Sequence, residues 1–265
     1  MRQRFAELGG IRTAWREAGE GPPIVALHGV PTSSELFLAL WPHLQGVRMI
    51  APDLLGHGDT AAPGTGRIDV AAYERHLDAF LASDAAPERF TLVVHDFGGV
   101  LGLDWAARHP ERIDRLVVMS TIVRPTARWR VLCAGLYALN LLGGRSALAA
   151  AMARTLKRAR TDSALLARFA SPWTRRRVWR GLDHFSARAV RRAGEALSAL
   201  RVPALAIWGE DDDVFPAHPH LADLRALAAS APLEIVRVPD CGHWSPLDAP
   251  EEVATAVRRF METSR

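Results

Sequence analysis

The chain has 265 residues, of which 49% are hydrophobic and 23% are charged, and these proportions are typical of a globular protein with one sizeable core. The formal net charge is +4 at pH 7, but no nucleic-acid recognition motif accompanies it. We therefore interpret the basic cluster Arg175-Arg176-Arg177 as a solvated helix face and expect no nucleic-acid partner. The two cysteines, Cys133 and Cys241, predict neither a disulfide framework nor a metal pair.

The sequence predicts no membrane-spanning segment and no signal peptide. The start of the chain leads into no apolar stretch of the signal-peptide type. The longest apolar region, residues 131–153, is interrupted by Asn140, Gly143, Gly144 and Arg145, so it is too broken for a span of about 20 apolar residues. We expect a cytoplasmic protein with no membrane partner.

Short β-branched runs alternate with helical patterns along most of the chain, which predicts an α/β fold with a mainly parallel sheet flanked by helices. The first two strands are joined by Gly9-Gly10 and predict a hairpin. The predicted strands are residues 5–8, 12–17, 23–28, 48–53, 90–96, 115–121, 204–210 and 233–239. The predicted helices are residues 35–44, 70–83, 98–109 and 251–260.

Between residue 122 and about residue 200 the strand patterns disappear, and only helical patterns rich in Ala, Leu, Arg and Trp remain. An all-helical insertion after a strand in the middle of a sheet predicts a cap over the strand ends, where open α/β sheets bind ligands. We therefore predict a core of residues 1–121 and 200–265 with a helical cap insertion of residues 122–199.

The most informative segment is Val93-Val94-His95-Asp96-Phe97-Gly98-Gly99, in which an apolar strand runs into an aspartate, then glycines, then a helix. This order is typical of a nucleophile elbow, a tight turn that presents one side chain at the carboxyl edge of the sheet. Asp96 occupies the central position. The alternative is that Asp96 caps the following helix, as aspartate often does.

Two later segments favour the catalytic interpretation. His243 follows the last predicted strand and precedes the final helix, so it can reach the elbow as a general base. Asp211-Asp212-Asp213 follows the preceding strand and offers a carboxylate that orients this histidine. The chain order of nucleophile, acid and base is that of the α/β-hydrolases. For the oxyanion hole we predict the backbone N–H groups of Val30 and Phe97.

A carboxylate nucleophile restricts the chemistry. Attack of Asp96 on an ester gives a mixed anhydride, which is a poor way to split an acyl bond. Attack on an sp3 carbon gives an ordinary alkyl ester, which an activated water can then cleave. The elbow aspartate therefore predicts a substrate carbon that carries a halide or a strained epoxide oxygen, with His243 activating the water.

In these motifs the sequence resembles the haloalkane dehalogenase and epoxide hydrolase branch of the α/β-hydrolases. The resemblance covers residues 20–121 and the part after about residue 200, and it fades in the predicted cap. It implies that Asp96 is the nucleophile, that His243 is the base, and that the acid is Asp212, the third residue after Gly209. The likeness to dehalogenases rests on His28-Gly29-Val30-Pro31-Thr32, on Asp53-Leu54-Leu55-Gly56-His57-Gly58-Asp59 and on His95-Asp96-Phe97-Gly98-Gly99.

The sequence departs from the dehalogenase pattern at the leaving-group donors. Phe97 stands where dehalogenases carry a halide-binding Trp, and Val30 stands where many carry an Asn. Cap tryptophans are candidate replacements, namely Trp129, Trp173 and Trp179, and Trp244 is a candidate for the pocket wall. For epoxide opening, the acids expected from the cap are Tyr137 and His184.

The leading hypothesis is therefore a hydrolase that cleaves a carbon–halogen bond in a small apolar organic substrate with water. Epoxide hydrolysis is the alternative reaction, and a protein that binds an apolar ligand without turnover is the alternative of another class. No cofactor is expected. No metal site is expected either, because His218 and His220 lack a third ligand at a suitable spacing. The sequence leaves the oligomeric state open.

Overall fold

The computed structural model describes residues 1–64, 68–127, 131, 134–135, 138, 147–159, 163–171 and 187–263. Eight strands of this part of the chain form one sheet. In chain order they are β1 (Arg2–Leu8), β2 (Ile11–Ala18), β3 (Pro23–Leu27), β4 (Arg48–Pro52), β5 (Phe90–His95), β6 (Ile113–Met119), β7 (Ala204–Gly209) and β8 (Leu233–Val238).

The sheet is parallel apart from its first two strands, as the sequence predicts. The spatial order is β1-β2-β4-β3-β5-β6-β7-β8. The hairpin of β1 and β2 is antiparallel, and β2 joins β4 antiparallel. All remaining neighbours are parallel, with Leu27 of β3 opposite Val94 of β5, and Val94 opposite Val118 of β6. The carboxyl ends of β3, β5 and β6 therefore meet at the same edge.

Helices cover both faces of the sheet, and all residues of the interior strands β5 and β7 are buried. One buried cluster joins one face to α1 (Val70–Leu81), α2 (Phe97–Arg108), α4 (Ala187–Ala199) and α5 (Ala217–Leu227). A second cluster joins the other face to α6 (Pro250–Glu262) and to α3 (Ser163–Ala170). A strand that is buried on both faces has a continuous apolar sequence. For this reason the sequence predicts a strand at Phe90–His95.

One predicted helix is wrong. Residues 35–44 form two separate 3₁₀ turns, Ser34–Phe37 and Trp41–His43, closed by bonds such as Leu44 N–H to the Trp41 carbonyl at 3.0 Å. Pro42 lies in the second turn and has no N–H to donate, so an α-helical bond is missing where the helix would have to continue. The helix α5 was not predicted from the sequence, because Pro219 interrupts its first turn.

The described residues of the predicted cap, within 122–199, contain no strand. Their helical parts include residues 147–155, α3 and α4. The helix α4 packs on α2 and shares its buried cluster, and at Gly194 a Cβ atom would collide with the Val123 carbonyl. The division of the chain into core and cap stays a prediction. None of the described helices has both the length and the apolar character needed to cross a membrane.

Candidate active site

Asp96 occupies the turn between β5 and α2. Its backbone has φ 52° and ψ −121°, a conformation that residues other than glycine rarely adopt. The following helix approaches the end of β3 so closely that a Cβ atom on Gly98 would collide with the Leu27 carbonyl. The strained turn and the small residue beside it are the features expected of a nucleophile elbow.

The carboxylate of Asp96 is buried and faces the loop after β3. The Val30 N–H donates to Asp96 Oδ1 at 2.8 Å, and a Cβ atom on Gly29 would overlap the aspartate side chain. The side chain makes no capping hydrogen bond to α2, so the helix-cap alternative raised by the sequence is wrong. Phe97 begins α2, and its buried ring packs edge-on against Tyr73 with centroids 5.2 Å apart.

His243 lies between two carboxylates. Its Nδ1 is 3.0 Å from Asp212 Oδ2, and its Nε2 is 3.6 Å from Asp96 Oδ2. The histidine is only 1% exposed, and Nε2 makes no hydrogen bond within the described protein. An Nε2 that faces the buried aspartate can serve as a general base once it has lost its proton.

The structure distinguishes Asp212 from its two neighbours. Asp212 is buried and accepts hydrogen bonds from the Val214 and Phe215 N–H groups at 2.9 and 2.8 Å. Asp211 and Asp213 are exposed, and Asp213 pairs with Lys157 at 2.6 Å. Two backbone donors hold the Asp212 carboxylate in place, so it can in turn fix the orientation of the imidazole.

The charges of this group are mutually stabilising. Burial raises the pKa of Asp212, but the adjacent His243 charge and the hydrogen bonds to the carboxylate lower it by more. The net pKa therefore lies below its ordinary value. Burial lowers the pKa of His243, but the charge and hydrogen bond of Asp212, and then those of Asp96, raise it to about 9. At neutral pH the imidazole is therefore protonated beside a charged Asp212.

Two neighbours support the histidine. His95 donates from Nε2 to the His243 carbonyl at 2.9 Å, and burial lowers the pKa of His95 to about 4, so this ring is neutral at pH 7. Trp244 packs edge-on against His243 with centroids 4.6 Å apart. Its indole N–H donates to Thr155 Oγ1 at 2.6 Å, so this donor is already engaged.

The loop that carries Val30 is held by His28. Nε2 of this ring accepts a hydrogen bond from the Leu54 N–H at 2.9 Å, and Nδ1 donates to the Gly29 carbonyl at 2.7 Å. Burial, together with the neighbouring His57, lowers the pKa of His28 well below its ordinary value, so the ring stays neutral. His28 thus supports the loop of the predicted oxyanion hole.

Sequence reasoning missed Thr121, whose hydroxyl donates to the Asp96 carbonyl at 2.6 Å. Its position was the available signal, because Thr121 follows β6, and β6 lies beside β5 in the sheet. The candidate cap residues Tyr137, Trp173, Trp179 and His184 lie outside the described residues, as does Trp129. Within the described part of the chain, no three His, Cys, Asp or Glu side chains come together as a possible metal site.

The sequence profile of the alpha/beta hydrolase fold matches residues 22–250. The solved structure of the haloalkane dehalogenase DatA from Agrobacterium tumefaciens C58 superposes with a TM-score of 0.82 over 99% of this chain and 97% of that chain, at 20% sequence identity. The chain belongs to the α/β-hydrolase family. The predicted fold is thereby confirmed.

Two relatives of this α/β-hydrolase differ in how much of it they match. A haloalkane dehalogenase of Sphingobium indicum is 41% identical over 127 residues, which are 46% of this chain and 43% of that protein. The match therefore spans less than half the length of the dehalogenase. A cis-3-alkyl-4-alkyloxetan-2-one decarboxylase of Shewanella oneidensis is 30% identical over 286 aligned positions, covering 98% of this chain and 88% of that protein.

Proposed function

We propose that this α/β-hydrolase displaces a leaving group from an sp3 carbon with the carboxylate of Asp96 and so forms an alkyl ester on the enzyme. The observation that carries the proposal is the position of that carboxylate, buried between the Val30 N–H and His243 Nε2. A free carboxylate at the elbow attacks an acyl carbon unproductively, whereas at an sp3 carbon it gives a stable ester.

In the first step of the dehalogenase reaction, an Asp96 oxygen bonds to the substrate carbon and the carbon–halogen bond breaks, releasing halide. The charge of Asp96 disappears when the ester forms. Since that charge helps to raise the pKa of His243, this pKa falls when the ester forms, which favours transfer of the ring's proton to solvent. The ring is then a free base for the second step.

In the second step, His243 Nε2 takes a proton from water as the water oxygen bonds to the ester carbonyl carbon. The Val30 N–H, which contacts Oδ1, is placed to stabilise the oxyanion that develops. Collapse of this intermediate breaks the bond to the alkyl oxygen, which leaves as an alcohol with the proton from His243. Asp96 then passes the remaining proton of the water to His243 and is restored as a carboxylate.

Haloalkanes are the leading substrate class because a haloalkane dehalogenase is 41% identical to this chain over 127 residues. The unfavourable feature is the side chain of Phe97, which offers no donor to a departing halide. Each missing hydrogen bond to a charged group costs about 1.5–3 kcal/mol, which slows the step about tenfold or more. Slow halide release is therefore expected.

A second candidate is the decarboxylation of a cis-3-alkyl-4-alkyloxetan-2-one, favoured by the relative that matches 98% of this chain. Attack of Asp96 on the sp3 ring carbon that is bonded to the ring oxygen opens the lactone. The ring oxygen leaves as part of a carboxylate on the neighbouring carbon. Loss of carbon dioxide then supplies the electrons of a new carbon–carbon double bond, and Asp96 leaves as a carboxylate. The leaving group stays tethered, so this route needs no halide donor.

A product panel tests these reactions. The protein is incubated with a bromoalkane, an alkyl epoxide and a cis-3-alkyl-4-alkyloxetan-2-one, and bromide, diol, and alkene with carbon dioxide are measured. Bromide release supports the leading proposal, alkene formation supports the second candidate, and diol formation supports the epoxide alternative. The acids expected for epoxide opening, Tyr137 and His184, lie outside the described residues.

A trapping experiment separates catalysis from binding. His243→Ala removes the base of the second step but leaves Asp96 able to attack, so a bromoalkane should add one alkyl mass to the peptide that contains Asp96. Asp96→Asn is the matched control and should add none. If no panel substrate is converted and no variant gains mass, the alternative of a non-catalytic binding protein replaces this proposal.

A further inference from the structure

The carboxylate of Asp248 collects four backbone N–H groups. Asp248 ends the short helical turn Ser245–Asp248, five positions after His243, and is 5% exposed. Its Oδ1 accepts from the N–H groups of Lys157, Arg158 and Ala159 at 3.1, 3.0 and 2.9 Å. Its Oδ2 accepts from Lys157 N–H at 3.0 Å and from Gly242 N–H at 2.8 Å.

These donors belong to two separate parts of the chain. Residues 157–159 follow the helical residues 147–155 and lie within the predicted cap. Gly242 immediately precedes His243 in the loop after β8. The Asp248 carboxylate therefore joins the 155–159 segment to the loop that carries the candidate base.

Other contacts place the 155–159 segment against both loops of the candidate active site. The Trp244 indole N–H donates to Thr155 Oγ1 at 2.6 Å, and a Cβ atom on Gly242 would collide with the Thr155 carbonyl. Lys157 Nζ donates to Asp213 Oδ2 at 2.6 Å, next to Asp212. The segment thus lies across the loop of the base and the loop of the acid.

We propose that Asp248 is a positioning residue that keeps His243 oriented towards Asp96. It does so by connecting the loop of His243 to the 155–159 segment through hydrogen bonds. Only an acceptor with two oxygens satisfies all four N–H groups at once. An amide at this position presents an NH2 group to N–H donors, and the buried donors it faces lose their partner. The inference rests on the proposed function, since it concerns the step in which His243 activates water.

The step affected distinguishes positioning from general support of the fold. Alkylation depends on Asp96 and the Val30 N–H, on the side of the site away from Asp248. Hydrolysis of the ester depends on the orientation of His243 Nε2. A displacement of the imidazole by about 1 Å slows a proton transfer by up to about a hundredfold. Loss of Asp248 should therefore slow ester hydrolysis selectively, while a variant that merely unfolds loses both steps together.

The test compares Asp248→Asn with Glu252→Gln and His243→Ala. Glu252 pairs with the Arg158 side chain at the surface, so its variant disturbs the same segment and leaves the buried carboxylate intact. Each protein is mixed with 1-bromobutane and quenched at intervals, and intact-mass spectrometry follows formation and breakdown of the alkyl-enzyme. Thermal unfolding of each variant is recorded alongside.

We expect Asp248→Asn to form the adduct within about threefold of the parent rate and to break it down about tenfold to a hundredfold more slowly. Glu252→Gln should match the parent protein in both steps. Accumulation of adduct in His243→Ala shows that the assay works. If it does, the positioning role is overturned when Asp248→Asn slows both steps equally or slows neither. No adduct in any variant, His243→Ala included, overturns the proposed function and this inference with it.

A second variant covers the case in which Asp248→Asn fails to fold. Ala159→Pro removes one N–H donor to Asp248 Oδ1 and leaves the carboxylate in place, and Ala159→Gly is its control. We expect slower adduct breakdown in Ala159→Pro than in Ala159→Gly, with equal rates of formation. Equal breakdown rates in these two variants contradict the proposal.

Discussion

Asp212 Oδ2 lies 3.0 Å from His243 Nδ1, and this contact decides which nitrogen of the imidazole faces Asp96. An ionised carboxylate can only accept, so Nδ1 keeps its proton in both the charged and the neutral form of the ring. Nε2 is then the nitrogen that faces Asp96, 3.6 Å from Asp96 Oδ2. The relationship orients the ring and also raises the pKa of His243, and both effects can be tested.

Asp96→Asn should abolish alkylation of the protein. An amide oxygen can still accept from the Val30 N–H, and Asn tolerates positive φ better than most residues, so the fold should survive. The amide is not a nucleophile at this carbon. We expect product formation to fall by about 10³-fold or more, measured as release of the leaving group. An Asp96→Asn protein of parental activity would exclude Asp96 as the nucleophile.

Asp212→Asn should slow ester hydrolysis by roughly 10³-fold, because an amide N–H can donate to Nδ1 and shift the ring proton to Nε2. A ring protonated at Nε2 cannot accept a proton from water. The same change removes the main cause that raises the pKa of His243, so this pKa should fall. Titration of the His243 ring by NMR in both proteins measures the shift.

Asp213→Asn is the matched control for that variant. Asp213 is exposed and pairs with Lys157, so its loss should leave hydrolysis within about twofold of the parent. Equal defects in the two variants would contradict the assignment of Asp212 as the acid.

The free energy of unfolding should fall as pH rises above neutrality. Burial lowers the pKa of His243, but Asp212 and Asp96 raise it to about 9, against an ordinary value of 6.5. The native protein therefore keeps a proton that the unfolded chain releases. This stabilisation is complete below pH 6.5 and is lost as pH rises through 9, by on the order of 3 kcal/mol. Urea unfolding at a series of pH values measures it.

His243→Gln should remove this alkaline loss of stability, while a loss of stability on the acid side should remain. Burial lowers the pKa values of His57 and His95 to about 4, so these rings are neutral in the native protein and take up protons on unfolding. Stability should fall from pH 6.5 towards pH 4 in both proteins. An alkaline loss that persists in the variant would mean that another group causes it.

Gly98→Ala should destabilise the elbow. The added Cβ collides with the carbonyl groups of Leu27 and His28, and backbone atoms cannot rotate away as a side chain can. We expect a loss of about 2–3 kcal/mol in the free energy of unfolding, measured in urea. Gly64→Ala is the control, since its Cβ meets nothing within 4 Å. Equal stability of the two variants would show that the strand and helix at the elbow can move apart.

Several features of the candidate site follow from the sequence. An apolar run that ends in Asp96 and glycines before a helix predicts a strand, a tight turn and a helix, because each is a pattern of neighbouring residues. The carboxyl ends of parallel strands share one edge of a sheet, so the loops with Asp96, Asp212 and His243 were expected to converge. Local patterns also misled, since the apolar periodicity of residues 35–44 outweighed the missing N–H of Pro42.

Other features depend on contacts between residues far apart in the chain. Burial of Asp212 beside two exposed aspartates, the absence of a capping bond from Asp96 and the bond from Thr121 all require the assembled strand ends. Lys157 and Asp248 are separated by 91 positions, and no periodicity relates them. Sequence patterns record the preferences of neighbouring residues, whereas only the packed sheet decides which distant donors a buried carboxylate meets.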